Sequence, residues 1–210
     1  MSEPVKKRRY TSTIARGQAR AAILEAAGGL FAERGFLGTS IEDIAAAAGV
    51  ARPTVFTAVG GKSVILKEVV DRALAGDDEP VPVSRRPWFR AMIDEPDPAR
   101  MLHLHAANIT RMYRRVGGVY CAVEAAADAD PDVAELWRTL QRQRLAGARE
   151  VAAALIEKAE LRAGYDQDAV ADVLWSVATP MVYRRVLERG WTPDRFEEWI
   201  GDLLCRLFLE

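Results

Sequence analysis

The sequence predicts an all-α protein, and three observations carry that reading. Strand patterning is nearly absent from the 210 residues, in which alanine, leucine, arginine and glutamate are prominent. Apolar residues recur instead at helical spacing, as in Ile23, Ala27, Leu30 and Phe31. Cap-competent residues stand directly before prolines at Asp97-Pro98, Asp130-Pro131 and Thr192-Pro193, each pair a helix-start signal.

In order, a first helix is expected from about Gly17 to Arg34, stopped by Gly35. Thr39 is expected to cap a short second helix, Ser40 to Ala47, with Glu42 completing a capping box and Ile41, Ile44, Ala45 and Ala48 facing inward. Gly49 breaks that helix. A third begins near Arg52 with Pro53 in its first turn, where a missing N–H costs little. Gly60-Gly61 ends it, and a fourth runs from Lys62 or Ser63 to Leu74. The prolines and acidic run between Gly76 and Pro87 read as a linker or corner. Beyond it helices are expected at about Arg86–Asp94, Pro98–Tyr113, Val119–Ala127, Pro131–Leu161, Asp166–Glu188 and Pro193–Leu209.

This divides the chain into a basic arm (1–16), a three-helix unit (17–62), a connecting helix (63–75) and a helical bundle (76–210). Charge follows the division. Residues 1–75 hold 11 Lys/Arg against 7 Asp/Glu, and the remainder holds 18 against 23, although the whole chain is near neutral. A basic head on an acidic body suggests that only the head meets a polyanion, with Lys6, Lys7, Arg8 and Arg9 as its densest charge. Such a run is equally what a solvated tail looks like.

Several function classes are disfavoured. Cys121 and Cys205 are too few for a disulfide framework and suit a reducing cytoplasm. No apolar run approaches a membrane span, and no signal segment follows the basic cluster. His103 and His105 point about 200° apart on a helix and cannot share a metal. Gly60-Gly61-Lys62-Ser63 lacks both the earlier glycine and the preceding strand of a phosphate-binding loop. No nucleophile has a histidine and carboxylate at recognisable spacing. The expectation is a non-enzyme without cofactor or metal.

Two short helices joined by a glycine turn, Thr39 to Val59, make a helix-turn-helix. Ala46, Ala48 and Gly49 let the helices cross closely, and Ile44, Val50, Val55 and Val59 can form a small core with Leu30 and Phe31. Arg52, Thr54 and Thr57 are then free to project outward, arginine toward guanine and threonine toward thymine or phosphate. A three-helix bundle with no DNA role satisfies the same periodicity.

The residues Ile23-Leu24-Glu25-Ala26-Ala27, Leu30-Phe31-Ala32-Glu33-Arg34-Gly35-Phe36, Gly38-Thr39-Ser40-Ile41, Asp43-Ile44-Ala45, Ala48-Gly49-Val50, Thr54-Val55-Phe56 and Gly61-Lys62 resemble the TetR family of transcriptional regulators, over roughly residues 16–74. Trp175, Pro180, Gly190-Trp191-Thr192-Pro193 and Trp199 are similar to the last two helices of one group in that family. The resemblance implies that Thr39, Ser40 and Lys62 touch phosphate and that Arg52, Pro53 and Thr54 face base edges. Ala51, Phe56, Ala58 and Val59 depart from the family pattern, removing a cap and polar groups that would reach phosphate. Binding would then lean on Lys6–Arg9 and Lys62.

In the second unit, large side chains gather at helical spacing, which serves equally for a core or an adaptable pocket. With the bias that the resemblance supplies, Trp88, His105, Tyr113, Trp137 and Trp175 are the expected wall of a small-molecule effector pocket, and Arg111 a candidate partner for an anion. Val177, Met181, Phe196, Trp199, Ile200, Leu203, Leu204 and Leu207 present more apolar surface than a terminal helix pair leaves wet. They are the expected homodimer interface, setting two recognition helices on a near-palindromic double-stranded DNA operator. The function this implies is a ligand-released repressor; a ligand-responsive activator or a helical interaction module that has lost DNA binding are the alternatives.

Overall fold

The computed structural model describes residues 16–76 and 83–210. Among them are ten α-helices, one short 3-10 turn and no strand. The helices are α1 (Arg16–Arg34), α2 (Ile41–Ala47), α3 (Arg52–Ala58), α4 (Lys62–Ala75), α5 (Pro87–Ile93), α6 (Pro98–Ala126), α7 (Pro131–Ile156), α8 (Gln167–Val177), α9 (Pro180–Glu188) and α10 (Pro193–Phe208); the 3-10 turn is Val83–Arg85. The all-α class and the helix-turn-helix read from the sequence are both present. No helix of the described residues is long and apolar enough to cross a membrane.

Helix α6 is the axis of the molecule, packing against α1, α4, α5, α7, α9 and α10. Its amphipathic face explains this: Leu102, Ala106, Ile109, Tyr113, Val116 and Tyr120 are all buried and recur every three or four residues. Asp97 caps the helix by accepting the N–H of Arg100 at 2.7 Å, with Pro98 next to it. Asp130 and Thr192 cap α7 and α10 in the same way, as their place before proline predicted.

Three element boundaries differ from the sequence expectation. The glycine pair at 117–118 does not end a helix, and α6 runs unbroken through it. Gly118 serves packing: a Cβ there would lie 2.8 Å from the Cβ of Ala32 on α1, so the missing side chain lets the helices touch. The helix expected over 166–188 is two, because Thr179 caps a new helix at Pro180, accepting the N–H of Val182 at 3.0 Å. Finally, α7 ends at Ile156 rather than Leu161.

Candidate nucleic-acid interface and bundle cavity

The N-terminal helices pack on Ile23, Ala27, Phe31, Phe36, Ile44, Val55, Ile65 and Leu66, all essentially inaccessible to solvent. Helix α2 ends in a Schellman turn. The N–H of Val50 reaches the carbonyl of Ala45 at 3.0 Å, that of Gly49 reaches Ala46 at 3.2 Å, and Gly49 has φ +67. That left-handed residue turns the chain sharply enough for α3 to start three residues later. Val55 anchors α3 in the core, while Arg52, Pro53, Phe56 and Thr57 stand exposed and Thr54 half-buried. Ala51 occupies the cap position of α3 without a side-chain hydrogen bond, as alanine must.

The α3 surface is held in place by its own neighbours. The guanidinium of Arg52 pairs with the Glu42 carboxylate of α2 and lies 5.1 Å from the centre of the Phe56 ring. Phe56 therefore has a use beyond filling space: it backs the arginine. Thr57 donates to the carbonyls of Pro53 and Thr54, both at 3.2 Å.

Two residues assigned to phosphate lie elsewhere. Thr39 is buried, and its hydroxyl donates to the carbonyl of Gly35 at 2.8 Å. The cap of α2 is Ser40, which accepts the N–H of Asp43 at 3.1 Å while its own N–H donates to the Asp43 carboxylate at 2.9 Å. Hydrogen bonds donated by the Ser40 hydroxyl and N–H hold the Asp43 carboxyl below its ordinary pKa. Lys62 turns inward as well. Its ammonium donates to the carbonyls of Phe36 and Thr39, each at 3.0 Å, and sits 4.1 Å from the Phe36 ring centre. It ties the start of α4 to the connection between α1 and α2 and has two of its three donors engaged there. Lys6, Lys7, Arg8 and Arg9 lie outside the described residues.

The second candidate site is a cavity of about 960 Å³ between α1, α4, α5, α6, α7 and α8. Trp88, His105, Tyr113 and Trp175 line it. Trp137 does not; it packs edge-on against Tyr120 with ring centres 5.4 Å apart. Arg111 is exposed on the opposite side of α6. His103 and His105 diverge as their spacing requires: His103 is exposed, 3.7 Å from Asp202 of α10, and His105 faces the cavity. Burial lowers the pKa of His105 to about 4, so its ring is neutral at physiological pH. Burial likewise pushes the Tyr120 hydroxyl up to about 12 and Tyr113 well above its usual range. No group of three or more His, Cys, Asp or Glu among the described residues could hold a metal.

One cavity residue escaped the sequence reading. Arg144 of α7 donates to the carbonyls of Trp175 at 2.6 Å and Ala178 at 3.2 Å, and to the Gln141 side chain at 3.0 Å. The break between α8 and α9 creates these acceptors, since Thr179-Pro180 interrupts the ladder that would have used them. Tyr113 shares the Ala178 carbonyl at 2.6 Å. The available signal was periodicity: Leu140, Arg144, Gly147 and Val151 form the inward stripe of α7.

On the apolar face of the last helices, Val177, Met181, Trp199, Leu203 and Leu207 are half-buried. Phe196, Ile200 and Leu204 are not surface residues at all. They are fully buried in the chain's own core, Phe196 against Tyr183 with ring centres 5.1 Å apart. The inner stripe of α10 closes on α6, which removes these three from any interface between copies.

Residues 23–69 match the family model of bacterial regulatory proteins, tetR family. No curated protein matches the chain. Among solved structures, the TetR family transcriptional regulator PfmR from Thermus thermophilus is 24% identical, with 90% of this chain and 98% of that one covered and a TM-score of 0.66. A candidate TetR-family transcriptional regulator from Mesorhizobium loti is 19% identical over 92% and 98%, with a TM-score of 0.66. A candidate transcriptional regulator from Saccharomonospora viridis in complex with choline is 19% identical over 92% and 99%, with a TM-score of 0.69. At such identities the likeness is one of fold.

Proposed function

With a tetR-family regulatory segment at residues 23–69 and a TetR-like fold around it as premises, we propose that this chain is a homodimeric transcriptional repressor released from a near-palindromic operator by a small molecule. The observation that carries the reading is the exposed face of α3. Arg52, Pro53 and Thr57 stand exposed on a helix that a Schellman turn and buried Val55 hold proud of the domain. An arginine braced by Phe56 can exchange its Glu42 partner for the acceptors of a guanine edge. Residues 17–62 form the DNA-binding unit, with α4 joining it to an effector and dimerisation bundle.

Support for an effector comes from the cavity and from the choline bound in the Saccharomonospora viridis protein. Support for dimerisation comes from Val177, Met181, Trp199, Leu203 and Leu207, whose outer surfaces remain accessible in one copy. Two copies related by a twofold axis would place their α3 helices about one helical turn of DNA, roughly 34–36 Å, apart.

One observation favours an interaction module without DNA binding: Thr39 and Lys62 are both withdrawn from the α3 face. Selection from a random double-stranded DNA pool separates the readings. The repressor reading expects an enriched inverted repeat whose affinity falls steeply with salt, each phosphate contact adding about 0.9 to the slope of log K against log salt. A pool that stays random at low salt would leave the interaction module standing.

A further inference from the structure

We infer that the cavity takes an amphipathic monoanion, its acidic group seated against Arg144 and its apolar body extending along α6 toward His105. The inference rests on the proposed reading of the cavity as an effector site. Arg144 is a cavity-lining cation that no carboxylate among the described residues pairs with. Its three acceptors are two backbone carbonyls and an amide, which fix the guanidinium but do not neutralise it. Arginine has five N–H donors, more than these acceptors use, and the neutral Tyr113 and Tyr120 hydroxyls that also lie within its reach leave its charge uncompensated. A half-buried cation held in one place without a counter-ion is a preformed partner for an anion that enters beside it.

The other charges around the cavity do not compete for that role. Arg20 and Glu68 pair with each other at 2.6 Å, Asp71 pairs with Lys67, and Arg72 is likewise partnered. Glu150 is exposed on α7, six residues beyond Arg144, which places it about 9 Å along the axis and about 120° around it. At the far end, His105 has no hydrogen-bond partner among the described residues, and its neutral ring can donate or accept. Tyr113, which shares the Ala178 carbonyl with Arg144, marks the level of the charge; His105 lies eight residues earlier on α6, about 12 Å away. Ile109, Met112, Phe89 and Leu140 supply the apolar wall around that span.

A quaternary ammonium is the competing ligand chemistry, since tryptophan faces recognise it. Here the Trp175 ring already has the Arg144 guanidinium over it at 5.8 Å, so an entering cation would meet a like charge.

The test is calorimetric titration of the full chain with three probes of one shape and different charge: phenylbutyrate, phenylbutanol and phenylbutyl-trimethylammonium. The carboxylate is expected to bind about tenfold or more tightly than the alcohol, with the ammonium weakest. Arg144→Gln should erase the advantage of the carboxylate while alcohol affinity stays within about twofold, and Arg144→Lys should keep part of it. Because Arg144 also holds the end of α8, thermal melting of each variant checks its fold, and the comparison in the unaltered chain decides even if Arg144→Gln does not fold. Equal binding of acid and alcohol, or tightest binding of the ammonium, would overturn the anion and leave the effector cavity standing. Failure of all three to bind at their solubility limits would count against the cavity as an effector site, and the anion would fall with it.

Discussion

At the scale of single residues, the surface of α2 and α3 shows where sequence reasoning stops. Two overlapping capping boxes are written into residues 39–43, Thr39 with Glu42 and Ser40 with Asp43. Which one forms is decided by α1, because Thr39 is drawn inward by the Gly35 carbonyl. Glu42 is thereby left to pair with Arg52. The inward turn of Lys62 depends on carbonyls 26 and 23 residues away, a relation no local pattern encodes. His105 was legible as a cavity residue only through the resemblance, yet its environment yields a definite prediction. Its folded pKa, about 4, lies below the ordinary value of 6.5, and desolvation is the cause. Between those values the unfolded chain takes up a proton that the folded chain refuses. Stability from this residue is therefore complete above pH 6.5 and is lost as the pH falls toward 4. One such proton gives a slope of about 1.4 kcal/mol per pH unit, or roughly 2 kcal/mol between pH of about 7 and about 5. Asp43 and Glu135, whose carboxyls are held below their ordinary values by hydrogen bonds, lose their contribution in the same direction as the pH falls, at the acid end of this window, and His105→Gln leaves that part unchanged. Urea unfolding of His105→Gln should be flatter with pH than that of the unaltered chain; parallel curves would show that His105 is hydrated.

Elements were more legible at their starts than in their interiors. Cap-proline pairs located the starts of α6, α7 and α10 because both signals are local. Thr179-Pro180 is the same signal, and the periodicity running across it hid the break. Gly117 and Gly118 show the reverse error: a glycine pair looks like a stop until the neighbouring helix is known. The two glycines should respond oppositely to alanine. At Gly117 the new methyl would lie 3.8 Å from a Tyr183 ring carbon, an ordinary contact, so helix propensity should stabilise the variant by about 0.5–1 kcal/mol. At Gly118 it would meet the Ala32 Cβ at 2.8 Å, and neither carbon can rotate away. Overpacking of this kind costs about 1–3 kcal/mol, which cancels or exceeds the propensity gain. Denaturant midpoints that move in the same direction for Gly117→Ala and Gly118→Ala would refute the close approach of α6 to α1. Restoring the midpoint with Ala32→Gly in the Gly118→Ala background would locate the clash on α1.

Across the whole molecule, the placement of the cavity bears most directly on the proposed switch. Its wall includes Arg20, Ala21 and Leu24 of α1 and Glu68, Asp71 and Leu74 of α4, so a ligand would touch the first helix and the connecting helix as well as the bundle. The Arg20–Glu68 ion pair joins α1 to α4 at that wall. A molecule that prefers one placement of α4 would shift the spacing of two α3 helices by its differential affinity, without an intervening relay. Gly147 allows a test that requires no ligand. It lines the cavity from α7, and an added Cβ would meet nothing within 4 Å. Gly147→Ala should therefore stabilise the chain by about 1 kcal/mol through helix propensity, leaving operator affinity unchanged. Gly147→Phe should keep that fold while its ring occupies the space of an effector, and operator affinity should fall about tenfold, on the order of 1.4 kcal/mol. The pair separates occupancy from stability, since both variants gain the helix former and only one fills the cavity. If Gly147→Phe excludes the phenyl probes yet binds the selected operator as tightly as Gly147→Ala does, filling this cavity does not move α3, and the switch must be sought elsewhere in the chain.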